Sequence, residues 1–140
     1  KVSSVRNPYD RAVSMWKHGT WRSVKTFKGF CEMIKTNRFT NDGKAPVGGQ
    51  AIRRWWHSQP VYDHIFDNDV MLVDYVIRFE NLQEGFNTVC DKLNFPHQQL
   101  PHINKSKHKH YTEYYDDDTQ QIVAERYAKD IEYFGYEFGG

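Results

Sequence analysis

A strand that runs straight into a helix occurs twice in this chain, and that repetition constrains the fold more than any other feature. Val2 to Val5 read as the end of a strand, and Asn7 followed by Pro8 marks a sharp turn. Asn suits an N-cap and Pro the first helical position, where its missing N–H costs nothing. The helix that follows runs to about Lys17, with Tyr9, Val13 and Trp16 on one apolar face. Further on, Met71 to Phe79 alternate, with Met71, Val73, Tyr75, Ile77 and Phe79 on one side, a run apolar enough to lie inside a sheet. It feeds a helix in which Leu82, Phe86, Val89, Cys90 and Leu93 keep helical spacing. Strands that each lead into a helix predict an α/β layered domain with a parallel sheet. Two strands are too few to close such a sheet, and the chain opens at Lys1 in what reads as mid-domain sequence, so an N-terminal portion of the domain is expected to be missing.

The rest of the 140 residues fits a single domain. Val24, Phe27, Cys31 and Ile34 predict a second helix that ends before Asn41, and residues 40–50 read as a loop. Gly48 and Gly49 are not followed by Gly-Lys-Ser/Thr, so they are a weak phosphate-loop signal. Pro96 to His110 is a polar loop. Asp116, Asp117 and Asp118 then open one last helix, with Val123, Tyr127, Ile131 and Phe134 as its buried stripe. Lys plus Arg number 19 against 18 Asp plus Glu, so no global field invites a nucleic acid, and any anion site must be local. Cys31 and Cys90 sit in apolar helical patterns and read as buried free thiols. No apolar run approaches the roughly 20 residues of a membrane span, and no signal peptide is visible.

Residues Val5 to Ser14, VRNPYDRAVS, form a plausible cradle for a phosphate. A helix N-terminus offers N–H donors and a positive dipole end. Arg6 at the strand end adds a planar fork, and Ser14 adds a hydroxyl two helical turns on. The plain alternative is a strand-to-helix corner with Arg6 solvated. Lys105, Lys107 and Lys109, among His102, His108 and His110, make the one dense positive patch, which is equally readable as a solvated loop. These histidines and Asp116 to Asp118 fit no familiar ligand spacing, so no metal is expected. Asn104-Lys105-Ser106 is formally a glycosylation sequon. In RRWWHSQP, Arg53 to Pro60, His57 is the candidate base or acceptor contact, and Trp55, Trp56 and Gln59 either line a sugar site or are core.

Arg6 and Ser14 around a strand-to-helix turn resemble the segment with which sulfotransferases hold the 3′-phosphate of 3′-phosphoadenosine 5′-phosphosulfate. VDYVIRFENL, Val73 to Leu82, resembles the carbohydrate sulfotransferases of the heparan and chondroitin type through Arg78, Phe79 and Glu80. The stretch from Leu100 to Phe138 resembles the tail of that branch through Asn104, Ser106, Tyr114, Tyr115, Tyr127, Asp130, Phe134, Gly135 and Tyr136. The resemblance implies a P-loop-NTPase-like parallel sheet flanked by helices, and transfer of a sulfonate from that donor to a carbohydrate hydroxyl without a metal. It implies Arg6 and Ser14 as 3′-phosphate ligands, Phe79 or its neighbours near the purine, and Arg78, Lys105 and Ser106 as further cofactor or acceptor contacts. Phe79 and an Arg78–Glu80 ion pair could equally be structural. The family's phosphosulfate loop and its His or Glu base lie upstream of the Arg6 segment, which leaves His57 as the visible candidate for the base. The implied location is cytoplasmic for a microbial protein and the Golgi lumen for an animal one. Two other classes remain: a kinase-like phosphotransferase, needing an upstream Gly-Lys-Ser/Thr loop and magnesium, and a non-enzymatic polyanion-binding module working through Lys105 to His110.

Overall fold

A computed structural model describes residues 1–37, 48–101 and 109–140. Strand β1 (Val2–Val5) leads through Arg6 and Asn7 into helix α1 (Pro8–His18). Asn7 caps that helix as expected, its side chain accepting from the Tyr9 N–H at 3.1 Å. Helix α2 (Phe27–Lys35) is capped by Thr26, so Val24 lies in the turn before it. A helix not anticipated from the sequence, α3 (Gly49–His57), follows, and then a short α4 (Val61–Ile65). Asp117–Arg126 and Ala128–Phe134, numbered α6 and α7 after α5 (Leu82–Lys92), complete the helices.

The alternating run from Met71 to Phe79 is divided among three structures. Val70–Met71 (β3) pairs antiparallel with Phe66–Asp67 (β2) across a tight turn at Asn68 and Asp69, both in the left-handed region. Only Tyr75–Arg78 (β4) joins β1, in parallel, with Val2 opposite Tyr75 and Val5 opposite Arg78. Phe79–Asn81 winds into a 3-10 turn, because the Glu80 carboxylate accepts the Asn7 N–H at 2.6 Å and pulls the chain out of the strand. Mixed helices with a small parallel sheet make an α/β domain, as expected. Among the described residues, however, β4 has β1 as its one strand neighbour and is not internal to a sheet.

Two cores result. The larger packs α1, α2 and α6 around Trp21, Phe30, Cys31, Ile34, Val123 and Tyr127, all fully buried. Burial, then Asp116 and Glu32, pushes the Cys31 thiol up to about 12, and both cysteines are free. The smaller core gathers Val5, Ile65 and Phe134. Helix α5 lies close on β4: a side chain at Gly85 would come within 2.6 Å of Ile77 Cγ2. The expected stripe on α5 is covered only in its middle: Cys90 is buried and Phe86 and Val89 half-buried, while Leu82 is 39% and the following Leu93 58% exposed, because the two described strands are too narrow to cover its ends. The final helix is broken at Tyr127, whose backbone leaves helical geometry while its hydroxyl donates to the Ser58 carbonyl at 2.9 Å.

Candidate functional site

Both parallel strands end side by side, so Arg6-Asn7 and Phe79-Glu80 meet at their carboxyl ends, the edge where open α/β sheets place ligands. Arg6 is doubly oriented. Its Nε donates to Asp10 Oδ2 at 2.7 Å, and its guanidinium lies 4.4 Å from the centre of the Phe79 ring. The Asp10 bond uses Nε and so spares the terminal nitrogen pair, the fork that grips an oxyanion. Phe79 is 45% exposed and serves as this platform rather than as core.

Asp10, Ser14 and Lys17 follow Arg6 at helical spacing along α1. Arg6, Asp10, Val13, Ser14, Lys17, His18, Lys109, Tyr111 and Tyr114 line one groove of about 80 Å³. That is the space of two or three waters, the scale of a single anionic group rather than of a nucleotide. Lys17 Nζ donates to the Tyr114 hydroxyl at 2.5 Å, and Lys109 lies 5.9 Å from the same ring's centre. Among the described residues, Arg6, Lys17 and Lys109 face the single carboxylate of Asp10, which makes a local positive field in a chain of nearly balanced charge. Lys17 was not singled out from the sequence, although its position three residues after Ser14 carries the signal. The association of Lys109 with α1 depends on a contact that spacing cannot show.

The start of α1 is not the open anion cradle expected of it. Asn7 N–H goes to Glu80, and Tyr9 N–H goes to the Asn7 side chain. Glu80 therefore supplies the negative group at this turn from within the chain. Its other oxygen accepts from the Tyr136 hydroxyl at 2.9 Å, while the Arg78 guanidinium lies 5.2 Å from the Tyr136 ring centre. Burial and then the bond to Glu80 push the Tyr136 phenol above its ordinary range. Buried Asn7 also donates to the Glu137 carbonyl at 2.9 Å, so the C-terminal segment is latched over the turn that carries Arg6.

Among the described residues, Arg78 and His57 lie apart from this groove. Arg78 lines a separate hollow with Tyr75, Asn81, Glu84 and Thr88. His57 is exposed at the end of α3 and is not among the groove residues. Its backbone belongs to a clasp. Arg11 donates to the carbonyls of His57 and Gln59 at 2.7 and 3.0 Å, and the buried Asp130 carboxylate accepts from the N–H groups of Val61 and Tyr62 at 2.8 and 2.7 Å. Burial holds the Asp130 carboxyl above the ordinary carboxylate range, against the lowering effect of those two donors and of Arg11. Trp55 packs partly against the larger core, and Trp56 is 56% exposed with its ring 4.9 Å from His64. Lys105 and Ser106, with Asn104, Lys107, His102 and His108, lie outside the described residues.

The model of the sulfotransferase family matches residues 1–137, nearly the whole chain. The protein is a sulfotransferase-family member. Comparison with the curated proteins and with the solved structures finds no match. Sulfonate transfer is thus the general chemistry of this family, whose members generally draw the group from 3′-phosphoadenosine 5′-phosphosulfate. Among the described residues, no group of three or more His, Cys, Asp or Glu side chains is placed to hold a metal ion, and no helix of this sulfotransferase is long and apolar enough to cross a membrane.

Proposed function

We propose that this sulfotransferase moves the sulfonate of 3′-phosphoadenosine 5′-phosphosulfate to a carbohydrate hydroxyl, on a sheet of the P-loop-NTPase type. The observation that carries the reading is the meeting of Arg6 and Ser14 in one groove with Lys17 and Lys109, at the carboxyl ends of the two parallel strands. Its size and charge suit the 3′-phosphate, the group that distinguishes this donor from simpler adenine nucleotides. The Arg6 terminal nitrogens would take two phosphate oxygens, and the Ser14 hydroxyl and Lys17 ammonium would take others. Arg78, Lys105 and Ser106 remain proposed secondary contacts for donor or acceptor.

In the reaction the acceptor oxygen attacks sulfur, the sulfur–oxygen bond to the 5′-phosphate breaks, and the acceptor proton passes to a base. His57 is the candidate base on its chemistry. With His57→Ala, kcat should fall about 10²- to 10⁴-fold at unchanged nucleotide affinity, and an unchanged kcat removes it from the role.

The donor reading is tested by calorimetric titration with 3′,5′-adenosine bisphosphate beside 5′-AMP. Selective binding of the bisphosphate that Arg6→Ala weakens by at least about tenfold supports it, as expected for loss of a charge-assisted contact of about 1.5–3 kcal/mol. Equal affinity for the two nucleotides, or indifference to Arg6, overturns it. Binding that instead falls steeply with salt and ignores Arg6 favours a polyanion-binding module.

A further inference from the structure

Helices α4 and α7 and the turn at Asp69 border a second, open concavity that shares none of its described lining residues with the groove on α1. It measures about 510 Å³, within the range of ligand sites, and is lined by Tyr62, Asp69, Lys129, Glu132 and Tyr133. Its aromatic wall is built. Tyr62 stacks on Phe66 with ring centres 4.3 Å apart and planes 10° from parallel, and Tyr133 meets both rings edge-on at 5.5 and 4.9 Å. Tyr133 is nevertheless 52% exposed, so aromatic surface remains available to a ligand. Around it stand fixed polar groups of both kinds. The Tyr62 hydroxyl donates to Asp69 at 3.0 Å, and Lys129 is anchored on Asp63 at 2.9 Å. Behind the wall, Asp130 ties α7 to the start of α4.

We propose that this cavity is a saccharide-binding subsite selective for uncharged sugar units. Aromatic surface suits the C–H face of a pyranose ring, and carboxylates, a phenol and an ammonium supply acceptors and donors for its hydroxyls. Among the described residues the lining carries two carboxylates against one ammonium, so a sulfated or uronic sugar meets a net negative field where the groove on α1 presents a positive one. Lys129 already lies 5.6 Å from the Tyr62 ring centre and occupies the place an organic cation would take. The choice of saccharide rests on the carbohydrate-acceptor reading, whereas the site itself does not depend on how the donor is held.

Saturation-transfer NMR with cellotetraose, an uncharged glucose tetramer, tests the assignment on the 140-residue chain. Binding with a Kd of order 1 mM, weakened about tenfold or more by Tyr133→Ala, is expected. Sulfated cellotetraose should bind several-fold more weakly than the neutral tetramer, and Glu132→Gln should narrow that gap while leaving neutral binding in place. Absence of cellotetraose binding, indifference to Tyr133→Ala, or preference for tetramethylammonium or for the sulfated tetramer overturns the proposal. The bisphosphate titration on the same samples separates the two readings. Saccharide binding without bisphosphate binding leaves this site standing and removes the donor assignment, and the reverse pattern removes this site alone.

Discussion

The helical layer and the sheet layer of this molecule use the same apolar periodicity and reach opposite ends. Around α1, α2 and α6 the apolar faces close on one another, and Trp21, Phe30, Ile34 and Val123 are fully buried. Around β1, β4 and α5 they close only in part: Val5 and Cys90 are buried, but Val2 is 49%, Phe79 45%, Leu93 58% and Phe95 63% exposed. A helix stripe is satisfied by one or two neighbouring helices, whereas a strand and its flanking helix need further strands beside them before both faces are covered. Stability is therefore concentrated in the helical layer. The candidate donor groove runs along its rim, where α1 leaves the open sheet.

The sharpest way to break this contrast is in the closed layer. Phe30→Ala should cost about 3–5 kcal/mol, read as a lower urea midpoint, since Phe30 packs on Trp21 and Phe27 with nothing to fill the space. A loss below 1 kcal/mol would mean that this layer is looser than its burial indicates.

Next in size is the clasp between α4 and α7. Asp130→Ala leaves the N–H groups of Val61 and Tyr62 without their acceptor and should cost about 2–3 kcal/mol. A pH dependence accompanies it. Because burial raises the Asp130 carboxyl, the folded state retains a proton that the unfolded state has released, and stability falls as pH rises from the ordinary carboxylate range through the raised value. Asp130→Asn should flatten that slope, and a slope that persists assigns it to another group.

Glu80→Ala should act on the rim. It removes the acceptor for Asn7 N–H and the Tyr136 hydroxyl, with an expected loss of about 1–2 kcal/mol after allowance for the exposure of Glu80. Bisphosphate affinity should fall with it, since the turn that aims Arg6 loses its tie. Lost stability at unchanged affinity would show that Glu80 holds the fold without shaping the groove.

What could be read in the sequence follows the range of the interactions. The Asn7-Pro8 turn, the buried face of Tyr9 and Val13 and the acidic start of α6 are local and were legible; so was the placing of Arg6 and Ser14 on one side of α1. The division of the Met71–Phe79 run was not, because it depends on the pairing of Met71 with Phe66 at one end and on Glu80 reaching Asn7 across 73 positions at the other. The break at Tyr127 was not legible either, and its hydroxyl's partner, Ser58, is 69 positions away. Helix α3 was hidden behind Gly48 and Gly49, which read as loop. The cavity between α4 and α7 joins residues 62–69 to 129–133 and leaves no periodic trace.

The smallest expected effect tests the open layer itself. Leu93 and Phe95 follow α5 with most of their surface in solvent, so Leu93→Ser and Phe95→Ser remove little buried area, and each should change stability by no more than about 0.5 kcal/mol. The comparison with Phe30→Ala then spans nearly the whole range of single-residue effects within one domain. A loss approaching that of Phe30→Ala would mean that these side chains are covered in solution. Sedimentation at several concentrations would distinguish the two causes: a mass that rises with concentration places another copy on this face, and a constant monomer mass means that the chain folds back over it.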